Sequence, residues 1–223
     1  MNGTTAWFTG ASFDWLAQIK TNNDKDWFAA NKAAYEHSVK APMAALLGAL
    51  QPVVGGDPKL FRQHRDTRFS ADKSPYRTEM IGTLHGREGS DAGLYAELSD
   101  DGLLFASGNH MWEKDQLERY LAAMAAPGGA EVAAVLEALE RDGWEIQGEL
   151  LKGVPKDFPK DHPRGRFLKH KFLVAGRRFG RAEVLAAKDA ATLFEGFWRA
   201  VTPLNAWLDT NVGLSALPTA GRR

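Results

Sequence analysis

Residues 93–98 (GLYAEL) and 103–107 (LLFAS) are two short apolar stretches separated by Ser99-Asp100-Asp101-Gly102. No other feature restricts the fold as tightly. An Asp-Gly step supplies the positive φ of a tight turn, so the pair predicts a β-hairpin and with it an antiparallel sheet. Leu60 to Phe69 and Met80 to His85 read as further strands, with a turn or loop at GREGSDAG. Trp144, Ile146, Gly148 and Leu150 alternate with Glu145, Gln147 and Glu149, the pattern of a half-buried strand. Another strand is expected around Phe172 to Ala175.

Helices are signalled by a different period. Phe13, Leu16 and Ile19 sit at helical spacing before the Thr21-Asn22-Asn23 break, and Asn31 is a candidate N-cap for a stripe of Ala34, Tyr35, Ser38 and Val39. Pro42 kinks that helix or starts a new one carrying Met43, Leu46, Leu47 and Leu50. Leu117, Tyr120, Leu121 and Met124 form one amphipathic stripe and Val132, Val135, Leu136 and Leu139 another, with Pro127-Gly128-Gly129 between them. A broad stripe from Leu193 to Leu208, bent at Pro203, predicts a long C-terminal packing helix. Helices among strands without regular β-α-β alternation indicate an α+β fold, mostly antiparallel sheet with helices packed on it and a helical N-terminus. A single globular domain over residues 1–216 and a disordered tail over 217–223 are expected.

The chemistry concentrates in Phe61 to Glu79, FRQHRDTRFSADKSPYRTE. As an extended strand it would put Phe61, Gln63, Arg65, Thr67 and Phe69 on one face and Arg62, His64, Asp66 and Arg68 on the other. Arg65 on the phenylalanine face requires a partner, and its planar fork suits a carboxylate or phosphate. Ser70, Asp72, Ser74 and Pro75 then supply turn chemistry, followed at once by Tyr76 and Arg77. Five Lys or Arg against three Asp or Glu make the stretch net positive, so its expected ligand is anionic.

The run RDTRFSADKSPYR, with DWF near the N-terminus and LKGVPKDFPKDHP further on, resembles the family called domain of unknown function 2461. The resemblance covers most of the chain. It implies no substrate, activity or catalytic residue.

Three functional readings follow from the residues. The first is a pocket for a small phosphate- or carboxylate-bearing ligand, gripped by Arg65, Arg68, Lys73 and Arg77 and oriented by Ser70 and Tyr76. Asn109, His110 and Lys152, on loops near strand ends, are further candidate contacts, and Asp66 and His162 are the candidate acid–base groups should a reaction occur there. The second is a non-enzymatic interaction or structural module in which the cations pair with Asp66, Asp72 and Glu79. The third is nucleic-acid binding through residues 152–181, where Phe158, Phe167, Phe172 and Phe179 interleave with basic residues. Zero formal net charge and the lack of a nucleic-acid motif rank it last.

Several chemistries lack sequence support. With no cysteine, thiolate nucleophiles and Cys-based metal sites are excluded. There is no P-loop, G-x-G-x-x-G or G-x-S-x-G, and no H-E-x-x-H. A metal site from His64, Asp66, His110 and His162 is not expected, and no cofactor is indicated. No run approaches membrane-spanning length and no leader is visible, so the expectation is a cytoplasmic protein without a membrane partner. Charge is nonetheless segregated. Residues 88–149 carry 14 acidic residues against Lys114, Arg119 and Arg141, a balance of −11, while residues 152–181 carry 10 basic residues against Asp157 and Asp161, a balance of +8. The two regions either neutralise each other or leave a basic surface.

Overall fold

The computed structural model describes residues 7–187 and 189–217, so the expected tail beyond Leu217 lies outside the described residues. The fold is α+β. Strands β1 (Pro58–Leu60), β2 (Met80–Leu84), β3 (Gly93–Leu98), β4 (Gly102–Asn109), β5 (Glu145–Gln147) and β6 (Leu173–Gly180) form one antiparallel sheet in the order β1-β2-β3-β4-β6-β5. At one edge Leu60 faces Gly82 and Pro58 faces Leu84. At the other, Ile146 faces Ala175.

The chain divides into two compact units. One holds the described residues up to Leu84 with Tyr95–Phe105 and Arg178–Gly196; the other holds His85–Leu94, Ala106–Arg177 and the described residues from Phe197 onward.

In the first unit, helix α1 (Gly10–Thr21) begins where the Thr9 N–H donates to Ser12 Oγ at 2.9 Å, and it buries Phe13, Trp15, Leu16 and Ile19. Helix α2 (Lys25–Tyr35) starts earlier than the sequence suggests. Its N-cap is Asp24, whose carboxylate accepts the Asp26 and Trp27 N–H groups at 2.9 Å, while Asn31 lies inside the helix with its amide donating to Trp27 O. A π-helical turn (Glu36–Lys40) leads into α3 (Ala41–Val54), where Pro42 occupies the first turn and needs no N–H partner. Met43, Leu46, Leu47 and Leu50 of α3 are buried, and α3 packs on β1 and β2.

The β3–β4 hairpin forms as expected, but not by the expected turn. Among the described residues Met111 is the sole non-glycine at positive φ, and Gly102 is not among the positive-φ glycines. The Ser99 N–H donates to Gly102 O at 2.9 Å, and the Ser99 hydroxyl donates to the Asp101 carboxylate. Gly102 is required for closeness instead, because a Cβ there would run into the carbonyl oxygen of Phe179.

In the second unit, α4 (Lys114–Ala125) and α5 (Gly129–Arg141) bury Tyr120, Met124, Val132, Leu136 and Leu139. Tyr120 donates its hydroxyl to Phe167 O at 2.9 Å, and Trp144 stacks on Phe197 at 5.0 Å. Helix α6 (Arg181–Ala186) and the long α7 (Ala190–Asn211, containing Pro203) complete the elements.

Candidate functional site

The largest departure from the sequence reading lies at Leu60 to Phe69, where the regular strand ends at Leu60. Residues 61–79 instead form an irregular excursion between β1 and β2. Its two arms are tied by Phe61 N–H to Ile81 O at 2.9 Å, Arg77 N–H to Gln63 O at 2.8 Å and Arg65 N–H to Pro75 O at 2.9 Å, with His64 opposite Tyr76. Pro75 has no N–H to give a ladder, and the Asp72 carboxylate captures the Ser74 N–H at 2.9 Å, so the chain turns rather than continuing the sheet.

The period of two nevertheless persists. Phe61, Gln63, Arg65 and Thr67 are partly or wholly buried and Arg62, His64, Asp66 and Arg68 are exposed. Phe69 breaks the pattern and is 97% exposed, with the Arg68 guanidinium 5.9 Å from its ring.

Two anchors hold the excursion. Gln63, buried, donates to Arg77 O and Glu79 O. Tyr76, also buried, stacks on Phe28 at 4.1 Å, and its backbone is clamped by Asn23, whose side chain accepts the Tyr76 N–H and donates to Tyr76 O, both at 3.0 Å. Beside these anchors opens a cleft of about 510 Å³ lined by Lys20, Asn23, Arg65, Asp72, Ser74, Tyr76 and the run Arg77 to Glu79.

The guanidinium groups in this cleft are under-bonded. Arg65 uses one terminal nitrogen, which pairs with the Asp72 carboxylate and lies 3.4 Å from Ser74 O. It is half-buried rather than enclosed among phenylalanines, and one nitrogen rather than the fork makes the contact. The Arg77 guanidinium makes no hydrogen bond among the described residues. Its Nη1 stands 3.6 Å from Glu79 Oε1, and its Nε is buried without a partner.

The carboxylates, by contrast, are fixed. Glu79 Oε2 accepts from the Thr78 N–H at 3.1 Å and the Thr78 hydroxyl at 3.0 Å. Ser74, through hydroxyl and backbone N–H, and then Arg65 hold the Asp72 carboxyl well below the usual range, so it is ionised near neutral pH. Lys20 is paired with Asp100.

Of the residues singled out in the sequence, Arg65, Tyr76 and Arg77 converge on this cleft. Arg68 instead faces out and grips Asp66 through Nε to Oδ1 at 3.0 Å and Nη2 to Oδ2 at 2.6 Å. That bond holds the Asp66 carboxyl down to about 2, which suits an ion-pair partner rather than a base. Lys73 donates to Thr67 O at 3.0 Å and Ser70 donates its N–H to the same oxygen at 3.3 Å, so both fold the turn.

Asn109, His110, Lys152 and His162 belong to the second unit. Asn109 is buried at the end of β4, His110 meets the Phe172 ring edge-on at 4.6 Å, Lys152 is exposed, and His162 Nδ1 accepts the Arg164 N–H at 3.1 Å. Lys20, Asn23 and Thr78 escaped the sequence reading. Asn23 stood in the helix-breaking triplet, and only its 53-residue reach to Tyr76 reveals its role. Among the described residues, no three His, Asp or Glu side chains are grouped to hold a metal ion, and no single helix is long and apolar enough to cross a membrane.

The family described as conserved hypothetical protein (DUF2461) matches residues 11–207. The chain belongs to this family. No curated protein matches the chain. The family description names no reaction, so the residues of the cleft carry the functional argument.

Proposed function

We propose that the cleft beside residues 61–79, walled also by Lys20 and Asn23, binds a small anion through Arg77 and Arg65. One observation carries the reading: the Arg77 guanidinium lines a roomy cleft with no acceptor within hydrogen-bond distance and with its Nε buried and unpartnered. Buried polar groups are ordinarily satisfied, and an unsatisfied donor costs about 1–3 kcal/mol. With Nε buried, the terminal nitrogens are left to meet a ligand, and a bound carboxylate or phosphate supplies the acceptor they lack. Arg65 offers further donors, since Asp72 and Ser74 engage only its Nη1.

Two or three charge-assisted hydrogen bonds at about 1.5–3 kcal/mol each leave at most about 5 kcal/mol once association is offset, an affinity near the millimolar range. Tyr76, buried and stacked, acts here as the rigid wall that fixes Arg77 rather than as a ligand contact.

The test is a calorimetric titration of pentanoate and inorganic phosphate into wild type, Arg77→Gln and Arg65→Gln. Saturable binding to wild type, lost in Arg77→Gln and weakened in Arg65→Gln, is expected. Equal heats in all three proteins would place the anion elsewhere and leave the cluster architectural.

A further inference from the structure

We infer that the ligand of this cleft is an α-amino carboxylate, a zwitterion whose carboxylate meets Arg77 and whose ammonium meets Glu79. The inference rests on the anion reading above and goes on to name the chemical class.

Arg77 and Glu79 carry complementary unfilled bonds. Arg77 Nη1 and Glu79 Oε1 stand 3.6 Å apart, beyond a good hydrogen bond, so neither satisfies the other. The second carboxylate oxygen of Glu79 is already engaged twice by Thr78, which fixes the group and leaves Oε1 open to a donor. The terminal nitrogens of Arg77 have no acceptor within hydrogen-bond distance, while its Nε is buried behind them. A head group carrying a carboxylate and an ammonium on one carbon supplies an acceptor to the first and a donor to the second at the spacing of adjacent substituents. A simple anion satisfies only Arg77.

The charge of the cleft favours the same ligand class. The lining holds Lys20, Arg65 and Arg77 against Asp72 and Glu79, a balance of +1, and Lys20 is neutralised by Asp100. Two fixed carboxylates facing the cavity repel a polyanion and favour a ligand of low net charge. The cavity of about 510 Å³ leaves room for a side chain beyond the head group.

Calorimetry on the whole chain separates the possibilities with three five-carbon probes, L-norvaline, pentanoate and glutarate, and with N-acetyl-L-norvaline and inorganic pyrophosphate beside them. We expect L-norvaline to bind at least about tenfold more tightly than pentanoate, reflecting the added charge-assisted bond. Glutarate should bind no more tightly than pentanoate, and N-acetyl-L-norvaline, whose amine is masked, should lose the advantage without any change to the protein. Glu79→Gln, which keeps an acceptor for Thr78 but removes the charge, should erase the norvaline preference, with pentanoate bound as tightly as by wild type or more tightly because a repelling carboxylate is gone.

Tighter binding of glutarate or of inorganic pyrophosphate than of L-norvaline overturns the zwitterion assignment while leaving the anion reading in place. So does full retention of the preference in N-acetyl-L-norvaline. If none of these probes nor phosphate binds, the anion reading fails and this inference falls with it.

Discussion

Two stretches of the chain are dense in arginine and lysine, and their hydrogen bonds divide them. In residues 152–181 the cations are largely satisfied. Arg164 donates to the carbonyls of Met124, Ala125 and Ala126 at 2.7, 2.8 and 2.9 Å, closing the C-terminus of α4. Arg166 pairs with Glu137 and Glu140, and Lys171 with Glu149. Phe167 and Phe179 are buried, so they are core residues rather than surfaces on which a base could stack.

In residues 61–79 the net charge is smaller, yet the Arg77 guanidinium has no hydrogen bond and that of Arg65 uses a single nitrogen. Charge counts point to the first stretch and satisfaction of donors points to the second. The lesson is that a cation already holding a carbonyl or carboxylate of its own chain is architecture, however basic its neighbourhood.

The contrast can be broken most forcefully at Arg164. Arg164→Ala removes all three carbonyl partners at a helix end and should lower stability by about 2–3 kcal/mol, read from chemical denaturation. A wild-type midpoint would show that the basic segment is not structural after all. Arg166→Ala, breaking a solvent-exposed pair, should cost under about 1 kcal/mol by the same assay.

The second probe sharpens the architectural side with pH. His170 is buried with Nδ1 unpartnered, so tightly enclosed that a Cβ at Gly148 would lie 2.6 Å from it. Burial lowers its pKa, with nearby Glu140 opposing and Arg166 reinforcing the shift. The unfolded chain therefore takes up this proton first as pH falls, and the contribution, complete above the ordinary histidine value of about 6.5, is lost below it. Stability should decline from pH 7.5 to 5, and His170→Phe should flatten that slope. An unchanged slope in the variant would assign the acid sensitivity to other groups.

On the functional side, Arg77→Gln should change stability by less than about 1 kcal/mol, since its ion pair with Glu79 is long and partly exposed. A loss several times larger, measured by thermal or chemical melting without ligand, would make Arg77 architectural too. Smallest of all, Phe69→Ser should alter stability by no more than about 0.5 kcal/mol, because a residue 97% exposed buries almost nothing.

The period of the apolar residues made the helices legible, since Phe13, Leu16 and Ile19 or Val132, Leu136 and Leu139 bury one face each. The strand ending at Leu60 was not legible, because alternating exposure continues through Thr67 while Pro75 and the Asp72 turn interrupt the ladder. Arg65, Tyr76 and Arg77 were visible because one short stretch carries them. Lys20 and Asn23 come from the end of α1 and the break after it, and no local pattern ties them to Tyr76. Nor does sequence distinguish Arg164 from Arg77: the difference lies entirely in which carbonyl or carboxylate the fold brings within 3 Å.

That difference has a direct readout in the side-chain Nε–H resonances of a ¹⁵N-labelled sample titrated with pentanoate. The account predicts a saturable shift of Arg77, a smaller one of Arg65, and no movement of Arg164, whose Nε is held by Met124 O. Movement of Arg164 with Arg77 stationary would contradict it.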